Sequence, residues 1–177
     1  MDIDSGTTAW ILMSSALVLF MTPGLAFFYG GMVRSKNVLA MLMKNYVAMG
    51  IVTITWITVG FSIAFSGNVM VGDWSLFGNL DLWGVRKLDL TNAVFGYEVP
   101  DLLFMAFQMM FAIITPALIA GAVAERMKFS AWVIFIAIWS VVVYAPMAHW
   151  VWGGGFIASE IQAIDFAGGL VVHINAG

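Results

Sequence analysis

Long apolar runs separated by short polar clusters set the organisation of this chain. Four of them reach the length of about 20 residues that an α-helix needs to cross a bilayer. They cover about residues 8–33, 39–65, 100–124 and 129–148, and the pattern predicts a helix over each. A fifth run starts near Asp165 and meets the end of the chain at Gly177 before it could cross, so an incomplete fifth helix is expected over 165–177. Pro23 with Gly24 breaks the first span and Pro116 the third. Proline frees a backbone carbonyl, which is tolerated in a membrane where protein or a cavity satisfies it. Ala117 and Gly121 place small residues four apart, a pattern of close helix packing. No soluble domain, linker, low-complexity tract or internal repeat stands out.

Composition narrows the class to a polytopic all-α membrane protein. The chain is 62% hydrophobic and only 10% charged, with a mean hydropathy of +0.97, which a soluble domain rarely shows. There is no basic patch for nucleic acid. With no cysteine, disulfides, thiolate metal sites and cysteine nucleophiles are excluded. Met1-Asp-Ile-Asp-Ser lacks the basic start of a secretory signal, and the first apolar run is too long for one, so it reads as a retained helix.

Charge placement orients the spans. Arg34, Lys36, Lys44, Arg126 and Lys128 flank connections on one side, which the positive-inside rule makes cytoplasmic. Asp2, Asp4, Asp73, Asp81, Asp89, Glu98 and Glu160 share the other side with Arg86 and Lys87. The N-terminus is then expected outside, with the fifth helix running inward. Trp74 and Trp83 in the 66–99 connection read as an interfacial tryptophan belt, as do Trp150 and Trp152 on one of two readings.

Three features carry candidate chemistry. Phe104, Phe107 and Phe111 share a helix face at spacings i, i+3 and i+7, with Gln108 beside them. A rise of about 1.5 Å per residue from Pro100 puts Phe107 roughly 10 Å and Phe111 roughly 16 Å deep. Such a stripe is also ordinary core packing. The run His149-Trp-Val-Trp-Gly-Gly-Gly155 ends a span on glycines that permit a tight bend or close approach to a ligand. Trp152 there is either a belt residue or an aromatic face offered to a cation. In the last segment Asp165 is placed to cap the helix start. His173 follows about 12 Å further along, near the middle of the hydrocarbon. An ionisable side chain at that depth points to a pore or polar path, against the plainer reading of a histidine bonded to a neighbouring carbonyl. His149 and His173 sit at different depths and lack the spacing of a shared metal or haem site. No phosphate loop or serine triad appears, so no enzyme activity, cofactor or metal is expected.

Five motifs in order, Phe28-Tyr-Gly-Gly-Met-Val-Arg-Ser-Lys-Asn37, Ala106-Phe-Gln-Met-Met-Phe-Ala112, Gly121-Ala-Val-Ala-Glu-Arg-Met-Lys-Phe-Ser-Ala131, the His149–Gly155 run and Asp165-Phe-Ala-Gly-Gly-Leu-Val-Val-His-Ile-Asn-Ala176, resemble those of the ammonium transporter (Amt/Mep/Rh) family. The resemblance runs from the first span to the last residues. It implies a larger fold of about eleven helices, two inverted five-helix repeats plus one, assembled as a plasma-membrane homotrimer with one pore per subunit. This chain would be the first repeat, ending inside its fifth helix. By the same resemblance Phe107 and Trp152 wall an outer recruitment site. Phe111 is one of two stacked gate phenylalanines, and Asp165 is a structural or electrostatic support. His173 is the first of a histidine pair. Tyr144, Phe28 and Gln108 line or support the outer vestibule.

The function implied is passage of ammonium or ammonia, with methylammonium as an analogue. The cation is recruited and deprotonated, and ammonia is conducted past the histidines. A cytoplasmic regulatory protein is a further implied partner. Two alternatives stay open: an ammonium sensor of the same fold, and a membrane redox protein using the histidines as haem ligands.

Overall fold

The computed structural model describes residues 2–177. Helix α1 (Ser5–Met32) starts on Asp4, whose carboxylate accepts from the Thr7 amide at 2.6 Å and the Thr7 hydroxyl at 2.8 Å. This N-cap satisfies donors that the first helical turn leaves orphaned. Only Thr22, Ala26 and Gly30 are buried on α1. They recur every four residues, so a narrow strip of small side chains lets the next span approach. Val38 and Leu42 fill the space that a Cβ on Gly30 would meet.

The second span is α2 (Val38–Thr55), a π-helical turn at Trp56–Gly60 and α3 (Phe61–Phe65). The bare backbone of Gly60 makes room for the Trp56 ring, whose indole N–H donates to the Met105 carbonyl at 3.3 Å. The fourth span repeats the device: α5 (Phe129–Trp139) runs through a π turn at Ser140–Tyr144 into α6 (Ala145–Trp152). The two π turns lie side by side, and the Thr55 and Ser140 hydroxyls meet at 2.9 Å beside them. Trp56, Phe61, Phe104 and Tyr144 form the centre of the larger buried cluster.

Helix α4 (Asp101–Ile119) stops earlier than its hydropathy predicts, because three-residue turn bonds take over from Ala120 and Gly121. Tyr29 helps set that end: its hydroxyl donates to the Leu118 carbonyl at 3.0 Å, and its ring occupies the place a Gly121 side chain would take. Helices α1 and α4 run parallel, linked at both ends. At one, the Asp4 amide donates to the Glu98 carbonyl at 3.0 Å. At the other, Arg34 pairs with Glu125. The bundle thus has an acidic end and a basic end.

Between α3 and α4 lies a feature the hydropathy pattern conceals, an antiparallel hairpin of β1 (Asn68–Val71) and β2 (Trp74–Gly78). It docks on α6, which runs four residues beyond its expected end at Ala148. The reason is His149, expected at the interface but fully buried. One ring nitrogen lies 3.0 Å from the Ala64 carbonyl and the other 2.8 Å from the Ser75 hydroxyl. A carbonyl only accepts, so Nδ1 carries the proton and Nε2 accepts from Ser75. Both nitrogens are thereby occupied, which removes His149 as an axial haem ligand. Trp150, one of the expected belt residues, instead donates from its indole to the Leu76 carbonyl at 2.6 Å. Trp74 stacks on Phe156 with centroids 4.8 Å apart, and Trp83 lies under the Arg86 guanidinium. The last segment turns helical only at Gly169, in a π turn over Gly169–Ile174, after Gly168 adopts a φ of 88°.

Candidate functional site

The phenylalanine stripe of α4 faces a cavity at the acidic end of about 420 Å³, which it shares with Trp152 of α6 and Asp165 of the last segment. Phe107 and Phe111 meet edge to face with centroids 5.0 Å apart, and Phe111 meets Trp152 the same way at 6.0 Å. Gln108 supplies an amide to a wall that is otherwise largely aromatic and aliphatic. Trp152, the second expected belt residue, is turned inward. Its indole N–H donates to the Asp165 carbonyl at 3.1 Å.

Asp165 organises the loop before the last helical turn. Its carboxylate accepts from the amides of Gly168 at 2.7 Å, Leu170 at 2.9 Å and Val171 at 2.8 Å. Three donors on one carboxylate hold the start of the segment that carries His173. Asp165 therefore positions two site residues, Trp152 through its carbonyl and His173 through its side chain.

Phe111 lines a second cavity as well, of about 390 Å³, together with Phe28 and His173. His173 in turn borders a third, of about 520 Å³, reaching Tyr29, Gly121 and Gly177 toward the basic end. The three form a row from the acidic to the basic end, with Phe111 as the wall between the first two and His173 between the last two. Each is largely apolar inside, an environment that disfavours a charged occupant. His173 is exposed in this chain, as are Ile164 and Phe166 nearby.

Two expected residues lie elsewhere than the outer vestibule. Phe28 lines the second cavity, because it stands 23 residues into α1, about 35 Å from the helix start. Tyr144 lines none of the three. It is fully buried in the core, between Trp56 and Trp139. Sequence reasoning missed Thr7, Phe65 and Tyr97 on the first cavity. Tyr97 comes from an irregular stretch and stacks on Phe104 with centroids 5.1 Å apart and planes at 17°. No periodicity flags such a residue. Among the described residues no group of three His, Asp or Glu converges as a metal site.

Outside the spans, the basic end holds the sharpest electrostatic feature. Glu125 accepts from Arg34 Nε at 2.9 and 3.0 Å, Arg34 Nη2 at 2.5 Å and the Asn37 amide at 2.5 Å. The Arg34 guanidinium and the Asn37 amide hold its carboxyl down at about 2. Glu125 itself adopts a φ of 61°, in the left-handed region that non-glycine residues seldom enter.

A family profile described as the Ammonium Transporter Family matches residues 9–177. An ammonium transporter of Mycobacterium tuberculosis is 51% identical, over 98% of this chain and 40% of its own length. The crystal structure of Candida albicans Mep2 superposes with a TM-score of 0.87 at 36% identity, over 99% of this chain and 37% of that one. A solved sensor Amt protein superposes at 0.83 with 29% identity, over 94% of this chain and 40% of that one. The chain thus spans about two fifths of the length of the relatives it matches.

Proposed function

The chain belongs to the ammonium transporter family, and on that premise we propose that its row of cavities is one wall of a path that takes ammonium in from the acidic end and delivers ammonia to the basic end. The acidic end faces outward and the basic end the cytoplasm of a cell whose plasma membrane the spans cross, in keeping with the segregated charge. The observation that carries the reading is the position of Phe111, which borders both the cavity of Trp152 and that of His173.

Ammonium first rests against the faces of Phe107 and Trp152, where ring quadrupoles attract a cation partly stripped of water. Gln108 offers its amide oxygen as an acceptor for one N–H. Moving deeper replaces water by apolar wall and disfavours the charged form. The cation then splits into ammonia and a proton. Ammonia passes Phe111 when its ring swings aside. The proton travels separately through His173, whose imidazole can take up a proton at one ring nitrogen and release one from the other. The exposed side chains of Phe166, Ile164 and His173 mark the face that further helices would cover in a protein of the relatives' length. Those helices would form the second inverted repeat and complete each pore of a homotrimer. A cytoplasmic regulatory protein would dock at the basic end.

Uptake of labelled methylammonium by the full-length protein in transport-deficient cells tests this reading. Wild-type protein should take it up, and a variant combining Trp152→Ala with His173→Ala should not. Undiminished uptake by that variant overturns these residue roles. A second reading, ammonium sensing, is favoured by the likeness to the sensor Amt protein. It predicts ammonium binding at Phe107 and Trp152 with no net uptake.

A further inference from the structure

We propose that a cavity walled by Lys44 at the basic end binds a phosphate group, carried either by the headgroup of an anionic lipid or by free inorganic phosphate. Lys44 stands six residues into α2, about 9 Å along the helix, yet its side chain is only 5% exposed. Its backbone is pinned, since the buried Trp132 indole donates to the Lys44 carbonyl at 2.9 Å. The ammonium therefore points into the protein and cannot turn out to water by rotating the helix.

An ammonium has three N–H donors. One reaches the Val123 carbonyl at 3.2 Å. Among the described residues Lys44 has no other side-chain hydrogen bond and no carboxylate within ion-pair distance. Lys44 lines a cavity of about 220 Å³ whose other polar residues are Asn37 and Glu125 and whose apolar wall includes Met41, Met127 and Phe129. Glu125 does not serve as the counter-charge, because its oxygens are already held by Arg34 and Asn37. With that pair neutralised, the cavity carries one uncompensated positive charge.

A buried cation with one of its three donors bonded, at a span end, is costly and is offset by an anion with several acceptor oxygens. Phosphate supplies them, and a compact ammonium is a suitable point charge for it. The site also lies near one end of the spans, where lipid headgroups carry phosphate, and the partly exposed Phe129 beside it suits an acyl chain.

The test is native mass spectrometry of the full-length protein, titrated separately with short-chain phosphatidylglycerol and with inorganic phosphate. Wild-type protein should bind at least one probe, and Lys44→Met should weaken it by about tenfold, while Lys44→Arg retains it. Binding of the lipid alone identifies a headgroup site, and comparable binding of phosphate identifies a free-anion site. Should Lys44→Met fail to fold, Lys44→Gln carries the same comparison. The proposal is overturned if neither probe binds wild-type protein, if Lys44→Met or Lys44→Gln binds as tightly as wild type, or if Lys36→Met and Lys128→Met weaken binding as much, which would mean diffuse surface charge.

Discussion

Phe111 meets Trp152 edge to face with ring centroids 6.0 Å apart, and Trp152 is held for that contact by its bond to the Asp165 carbonyl. Phe111 and Trp152, the proposed gate and recruiting residues, are thus brought together by a loop rather than by a shared helix. Trp152→Ala removes both the aromatic face and the tether, and Trp152→Phe only the tether. A cation–π contact worth about 1–2 kcal/mol corresponds to roughly tenfold in affinity. Half-saturation for methylammonium uptake should rise by about that factor in the alanine variant and less in the phenylalanine variant.

Asp165→Asn leaves one oxygen where two now serve three amides. At least one amide of Gly168, Leu170 or Val171 then loses its acceptor, at a cost of about 1–3 kcal/mol. Thermal unfolding of the purified full-length protein should shift down accordingly. Asp165→Glu should not restore it, because the longer side chain overshoots the turn.

The Glu125 latch predicts a pH dependence with a definite sign. Its carboxyl lies at about 2 when folded, against an ordinary value of 4.5. A depressed carboxylate contributes stability that is full above the unfolded value and is lost as pH falls through the folded one. Wild-type protein should therefore lose more stability than Glu125→Gln between pH 4.5 and about 2. Asp4 and Asp89 are also held low by their hydrogen bonds to Thr7 and Thr91, so the difference between the two proteins is the quantity to measure. Equal slopes would remove the latch as a contributor.

Ser75→Ala strips the partner from His149 Nε2 inside the hairpin dock. An unpartnered buried acceptor costs about 1–3 kcal/mol. Hydrogen exchange should show earlier opening of the 68–78 hairpin with little change in α4. If hairpin protection is unchanged, the histidine is not what holds it.

The spans were legible because a bilayer forces long apolar runs, and the stripe on α4 was legible because helical spacing puts Phe107 and Phe111 on one face. The hairpin also left a signal, Gly72-Asp73 between two short stretches of strand-forming residues, but the transmembrane pattern overshadowed it. His149 could not be placed from sequence, because its partners Ala64 and Ser75 are distant in the chain and carry no motif. Resemblance alone places Tyr144 at the vestibule, and no spacing in the chain shows that it ends a π turn inside the core.

Each π turn is, in effect, one residue of surplus length stored inside a span. Deleting one residue from Trp56–Gly60 would take up that surplus and leave the turns on either side near their present faces. Removing a second residue there would rotate everything beyond it by about 100°. Phe65 would then leave the first cavity, and the Ala64 carbonyl would leave His149. The aromatic wall thus depends on a residue count as well as on residue identity, with one residue of slack built into the span.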